Sequence, residues 1–396
     1  MSKDLNLFDI TSFGARSDPS ELQDKAVQAA LDACRDAGGG AVVVPAGHFL
    51  ISGVRMWDHT TLELQPGAVL IGSADCRDYP VWDIPKGIEL RTDQEMIPYY
   101  EQKHRPQYRR AMISAYGVSD ISLIGGAESL IDGSDCYDAD GEEGFRGPHG
   151  IFFSNCRNVT LRGYTIRNSG NFMHQLDKCA NTEMSGVASL AGHDGIHLNC
   201  CTDTVINDCI FRTGDDCVAG IGVNRLTVSN CELNTSCDTF RIGGSQITIE
   251  NCRVWGPGYY PHRMTVVKGR DDVLPRESGR HNTLFFLEYF SSLTHPSAEP
   301  SHGWLIRNCS IEGVDRFLHF ESGNAGALHA GTPLTEIALN EVDIKGLAAA
   351  SILSPDPEHP LKVDMTDVSV SLRDGLIGDG SLLFEPSTPN LIWGYI

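Results

Sequence analysis

A period of about 22 residues in the middle of the chain limits the fold more than any other feature. The segments CRNVTL, CANTEM, CTDTVI, VNRLTV and GSQITI align so that their fourth residues are Val159, Thr182, Thr204, Leu226 and Ile247, spaced by 23, 22, 22 and 21. A second series, Cys209, Cys231 and Cys252, repeats at 22 and 21. A repeat in this range signals a solenoid. The repeated segments are short and rich in β-branched residues. Gly, Asn and Asp separate them, and no helical stripe lies between. The pattern predicts an all-β parallel β-helix, in which each coil completes the core of the next and like residues stack about 4.8 Å apart.

Further coils are expected at TTLELQPGAVLIG, VSDISLIGG, GWLIRNCSIEG, LTEIALNEVDI and LKVDMTDVSVS. The segment QDKAVQAALDACRDA, about 23–37, carries apolar residues at helical spacing and stops at Gly38-Gly39-Gly40. It is expected to cap the open end of the solenoid, where unpaired strand edges need cover. The reading is one β-helix domain over 1–396, interrupted by loop insertions at 76–110 and 256–302. Loops this long in a compact repeat commonly form functional walls or lids.

Charge and cysteine content narrow the partners. With 31 basic against 52 acidic side chains, the formal charge is −21. That balance argues against nucleic acid, whose phosphates require clustered Lys and Arg. The start, MSKDLNLFDI, has neither a basic nor an apolar leader region, and no run of about 18 apolar residues follows. The expectation is a cytoplasmic protein with no membrane partner, and a homo-oligomer is compatible with it. The 13 cysteines are odd in number and lack CxxC pairs. The steps Asn155-Cys156, Asn230-Cys231, Asn251-Cys252 and Asn308-Cys309 instead suggest reduced, small, buried side chains at equivalent coil positions. The glycines of GIGVN lack the spacing and context of a dinucleotide site.

Three segments carry chemistry. GHDGIHL, TGDDCVAG and SCDTFRIGG place Asp194, Asp216 and Asp238 at intervals of 22 and 22, with Asp215 beside the middle one. One coil per interval stacks them in a column. Carboxyl groups this close repel and raise one another's pKa, which suits a general acid working near neutral pH. A pair in one cleft can divide the work, one group protonating a leaving oxygen and another activating water, as in glycoside hydrolysis. A carboxylate column could alternatively hold Ca²⁺.

The motifs FGARSD, GGGAVVVPAGHFLISGV, LELQPGAVLIGSAD, NVTLRGYTIRNSGNFMHQLDKC and GHDGIHLNCCTDTVINDCIFRTGDDCVAG resemble the polygalacturonases of glycoside hydrolase family 28 over about Phe13–Trp255. The resemblance implies a right-handed parallel β-helix and an inverting hydrolase. It assigns the general acid to Asp215, and the positioning and activation of the attacking water to Asp194 and Asp216. Acid and base in an inverting site stand about 6.5–9.5 Å apart. This chemistry needs no metal and no organic cofactor.

The chain departs from the family in ways that bear on substrate. His193 stands where the family has an Asn contact, and Asp238 where it has a histidine. The family's carboxylate-gripping Arg-Ile-Lys finds only Arg263-Met264-Thr265. An added acid repels an anionic sugar, although Arg241, Lys268 and Arg270 could compensate. His174 matches a family position near the cleft. His197 alternates with Ile196 and Leu198 and should face away from them. Trp255, Tyr259, Tyr260 and His262 could stack on a sugar ring.

The function expected is hydrolysis of an oligosaccharide or polysaccharide, pectin-type or related, by exo-action. Alternatives on the same scaffold are a polysaccharide lyase, an intramolecular glycosyl transferase and a non-catalytic carbohydrate-binding β-helix.

Overall fold

The computed structural model describes residues 6–88, 107–262, 280–292, 297–325 and 328–395. They fall into two compact units, 6–193 and 194–395. Both are built almost wholly from parallel strands, as the period requires. No helix among the described residues is long and apolar enough to cross a membrane.

In the first unit one ladder runs through Leu7–Asp9, Gly40–Val44, Thr60–Leu64, Ser119–Gly125, Arg157–Arg162 and Ala180–Ser185, every pairing parallel. Val159 pairs with Thr182 in the register the sequence alignment gave. The predicted helix forms over Asp24–Asp36 and buries Val27, Ala30, Leu31 and Cys34. It packs against the first strands, and the Asp24 carboxylate accepts from the Ser52 and Gly53 N–H groups at 2.8 and 2.7 Å.

The second unit repeats the pattern through Thr202–Asn207, Val218–Ser229, Asp238–Glu250, Trp304–Glu312, Glu336–Leu347, Leu361–Leu372 and Leu391–Tyr395. Thr204 pairs with Leu226, and Leu226 with Ile247. One feature differs from the sequence reading. The stretch 256–302 is not insertion throughout, because Phe285–Tyr289 is a coil strand paired between Asp238–Glu250 and Arg316–Glu321. Its period was hidden by the additional residues on either side of it.

The Asn-Cys steps have a backbone cause. Asn155, Asn230, Asn251 and Asn308 all turn the chain with φ between 50° and 56°, a left-handed conformation that Asn adopts more cheaply than most residues. The cysteines that follow, Cys156, Cys231, Cys252 and Cys309, are at most 3% exposed. All thirteen cysteines are free thiols. Asn230 also donates from Nδ2 to Asn207 Oδ1 at 2.8 Å in the neighbouring coil. Asn230→Ala should therefore destabilise the fold by about 1–2 kcal/mol, and Asn230→Gly by less, a ranking that chemical unfolding will read.

The GIGVN glycines are structural too. Gly220 has φ of 140°, and a Cβ there would lie 1.7 Å from the Leu198 carbonyl oxygen of the adjacent coil.

Candidate active site

The site is built on five strands of the second unit: β1 (Ile196–Asn199), β2 (Val218–Ser229), β3 (Asp238–Glu250), β4 (Phe285–Tyr289) and β5 (Arg316–Glu321). Ile196 pairs with Val218, and Val218 with Phe240. Two residues earlier in each coil stand Asp194, Asp216 and Asp238, so the register stacks them as the 22-residue spacing predicted. Backbone bonds fix the column. Gly195 N–H donates to the Asp216 carbonyl at 2.9 Å, and Cys217 N–H to the Asp238 carbonyl at 3.2 Å. Gly195 is required by this approach, since a Cβ would meet the Phe211 ring at 2.4 Å and the Cys217 carbonyl at 2.7 Å.

Asp215 projects beside the column from a turn pinned by threonines. Thr213 Oγ1 donates to its carbonyl at 2.6 Å, and Thr235 Oγ1 bonds the same oxygen. One carboxyl oxygen from each of Asp194, Asp215 and Asp216 lies within 4.8 Å of the others. These are nearest oxygens, and they are closer than the separation of about 6.5–9.5 Å expected of an inverting pair. Two ionised groups at that range repel by roughly 3 kcal/mol at an effective dielectric constant of about 20. Asp194 and Asp216 are 3% exposed and Asp215 7%.

The electrostatics follow from this crowding. Burial, then the charges of Asp194 and Asp215, raises the Asp216 carboxyl well above the ordinary range, against the pull of Arg241. Asp216 Oδ1 also accepts from the Asp238 N–H at 3.2 Å. Asp238 is raised as well, by burial and by Glu288 and Asp216. Asp216 and Asp238 thus keep protons at a pH where isolated carboxyls have lost them.

A second column runs three residues further along each strand. His197 pairs in register with Ala219, Ala219 with Arg241, Arg241 with Glu288, and Glu288 with His319. His197 Nδ1 meets Asp194 Oδ2 at 2.7 Å, and Ile196 and Leu198 are fully buried on the opposite face, as the alternation predicted. Arg241 donates from Nε to Glu288 Oε2 and lies 4.2 Å from the centre of the Phe290 ring. His319 sits between Glu321, at 3.1 Å, and Glu288, at 3.4 Å. Burial pushes Glu288 up, but His319 and Arg241 outweigh it and hold the carboxyl below its usual value. Burial likewise pushes His319 down, and its two acidic partners outweigh that.

Other predicted residues are placed differently. His174 is fully buried and its Nε2 shares a hydrogen bond with the Tyr164 hydroxyl at 2.9 Å. His193 is fully buried beside Phe145, with ring centres 6.0 Å apart. Both histidines are fully buried and present no surface to a sugar, which corrects the expectation of substrate contact. Arg263 and Lys268 lie outside the described residues, as do Met264, Thr265 and Arg270. The strand that pairs next to Asp238 is β4, so the coil position after Asp238 is filled by Phe285. Tyr259 is 61% exposed, with the Arg212 guanidinium 5.8 Å from its ring centre.

Sequence reasoning missed Glu288, His319, Glu321 and Phe285. Their signal was the column itself, which extends past the extra residues after Gly256. Two further groups of donor atoms are close enough to hold a cation: Asp215, Cys237 and His262, and Asp216, Cys237 and Asp238. Arg280 Nη2 is 3.7 Å from Cys237 Sγ and competes for that position.

Comparison with known proteins agrees with this fold. The model of glycosyl hydrolases family 28 matches residues 84–238. A polygalacturonase of Nicotiana tabacum is 23% identical over 225 residues, 54% of this chain and 48% of that protein. An exo-poly-alpha-D-galacturonosidase of Dickeya chrysanthemi is 26% identical over 271 residues, 54% of this chain and 42% of that protein. The chain thus spans about half the length of the curated relatives it matches. Among solved structures, the exopolygalacturonase of Thermotoga maritima superposes with a TM-score of 0.65 at 16% identity, covering 100% of this chain and 93% of that one. The family 28 exopolygalacturonase of Yersinia enterocolitica gives 0.64 at 16% identity, covering 100% and 78%. The resemblance read from the motifs stands, and the fold is the right-handed parallel β-helix with an amino-terminal helix and loop insertions.

Proposed function

Taking the chain as a polygalacturonase-like protein of the family 28 type, we propose that it is a glycoside hydrolase acting on an oligosaccharide or polysaccharide through Asp194, Asp215 and Asp216. The observation that carries this reading is the three-carboxyl cluster, held in register by coil stacking and forced by crowding to keep a proton. Such a cluster contains both partners the reaction needs: a protonated group to donate to the leaving oxygen and ionised groups to draw a proton from water. Asp215 is the acid in this proposal: the proton that burial keeps on Asp216 passes within the cluster to Asp215, which arms the acid and leaves Asp216 ionised toward the water. Asp215 stands outside the column and is the most exposed of the three, so it is the group best placed to reach a glycosidic oxygen. Asp194, oriented by His197, and Asp216 hold the water.

Water attacking in one displacement inverts the anomeric centre. The short spacing of the carboxyl oxygens favours a second reading, in which one aspartate attacks carbon directly and configuration is retained. Proton NMR of the first product decides between them: the anomer opposite to that of the substrate linkage is expected, and the same anomer would establish the two-step route. Exo-action is part of the proposal, supported by the named activities of the Dickeya, Thermotoga and Yersinia proteins. Early products should then be of one short length, whereas a ladder of intermediate lengths would show internal cleavage.

A further inference from the structure

We propose that the sugar bound beside Asp238 is uncharged, so that this site takes a neutral or esterified pyranose in preference to a free uronate. The inference rests on the hydrolase reading for the location of the sugar, but its physical basis is separate.

Among the described residues, the cations of the second column are already paired. Arg241 is bound to Glu288 and stacked on Phe290. His197 is bound to Asp194, and His319 lies between Glu288 and Glu321. An incoming carboxylate would have to share one of these groups with a carboxylate the protein already holds there. It would also join Asp194, Asp215, Asp216, Asp238 and Glu288 in one neighbourhood, and each added anion makes ionisation of the others more costly.

What the site offers instead suits hydroxyl groups and an apolar ring face. Asp238 is 3% exposed, and its Oδ1 is buried with no hydrogen-bond partner. A buried carboxyl oxygen calls for a donor. A sugar hydroxyl can donate to it and, unlike a uronate carboxylate, adds no charge to the cluster. One coil further on, Phe285 pairs in register with Asp238, half-buried with its ring centre 4.7 Å from that of His319. An aromatic ring there suits the apolar face of a pyranose.

The test uses matched probes: the galacturonate trimer, its methyl ester and its carboxyl-reduced form. Calorimetric binding and reducing-end release are both measured on the unmodified protein. The ester or the reduced form should bind on the order of tenfold more tightly than the free acid. Equal or tighter binding of the acid overturns the proposal, as does binding of none of the three. Preferential binding of an uncharged form without turnover supports the charge inference and removes the hydrolase reading. Turnover without preference does the reverse.

Discussion

Asp215→Asn should lower hydrolysis of an unactivated glycosidic bond by about 10²–10⁴-fold, the usual contribution of a positioned general acid, while leaving oligosaccharide binding in place. The amide has nearly the shape of the carboxyl but cannot deliver a proton to a leaving alkoxide. An aryl glycoside with a nitrophenol leaving group has little need of that proton, so the same variant should lose much less rate on it. Asp194→Asn and Asp216→Asn should lose rate on both substrates, because attack by water limits both. If the pattern is reversed, with Asp216→Asn spared on the aryl substrate, the acid role moves to Asp216. The contrast is clean because all three side chains stand within one cluster, so no variant is confounded by distance from the reacting centre. Unaltered rates in all three variants would sink the catalytic reading.

Much of this arrangement was legible in the sequence because a parallel β-helix converts sequence interval into spatial stacking. The interval of 22 between Asp194, Asp216 and Asp238 became a column, and Thr204, Leu226 and Ile247 became one rung position, because each coil holds a constant number of residues there. The buried cysteines were legible for the same reason, though their asparagines were explained only by the left-handed turns. Where the period breaks, the inference fails. The coil containing Phe285 and Glu288 was read as part of an insertion, since extra residues after Gly256 push it out of phase. With it went the ion pair of Arg241 and the position of His319. His174 and His193 failed for another reason. A histidine at a coil corner has the same sequence neighbours whether it points to a groove or packs inward, and only contacts such as that of His174 with Tyr164 decide which.

The crowding that equips the site for catalysis should also cost stability, and Asp216→Asn exposes the cost. In the folded chain Asp216 titrates above its ordinary range, chiefly through burial and then through Asp194 and Asp215. A carboxyl whose folded pKa exceeds its unfolded value holds a proton in the native state that the unfolded chain has released. Stability from this group is therefore complete below the unfolded value, near 4, and declines as pH rises until the folded value is passed. Asparagine carries no such dependence. Its side-chain oxygen can still accept from the Asp238 N–H, the contact Asp216 Oδ1 makes at 3.2 Å. The variant should be inactive yet melt at least about 2 °C higher than the unmodified protein at pH 8, the shift expected for roughly 1 kcal/mol in a large domain. The gap should close as pH falls toward 4. Comparing the two proteins at each pH cancels the parallel contribution of His319, whose raised pKa likewise gives stability that is complete below its ordinary value near 6.5 and is lost as pH rises through the folded one. A lower melting temperature for the variant at every pH would mean that Asp216 is ionised and well solvated by its neighbours, and the proton-sharing cluster would have to be abandoned.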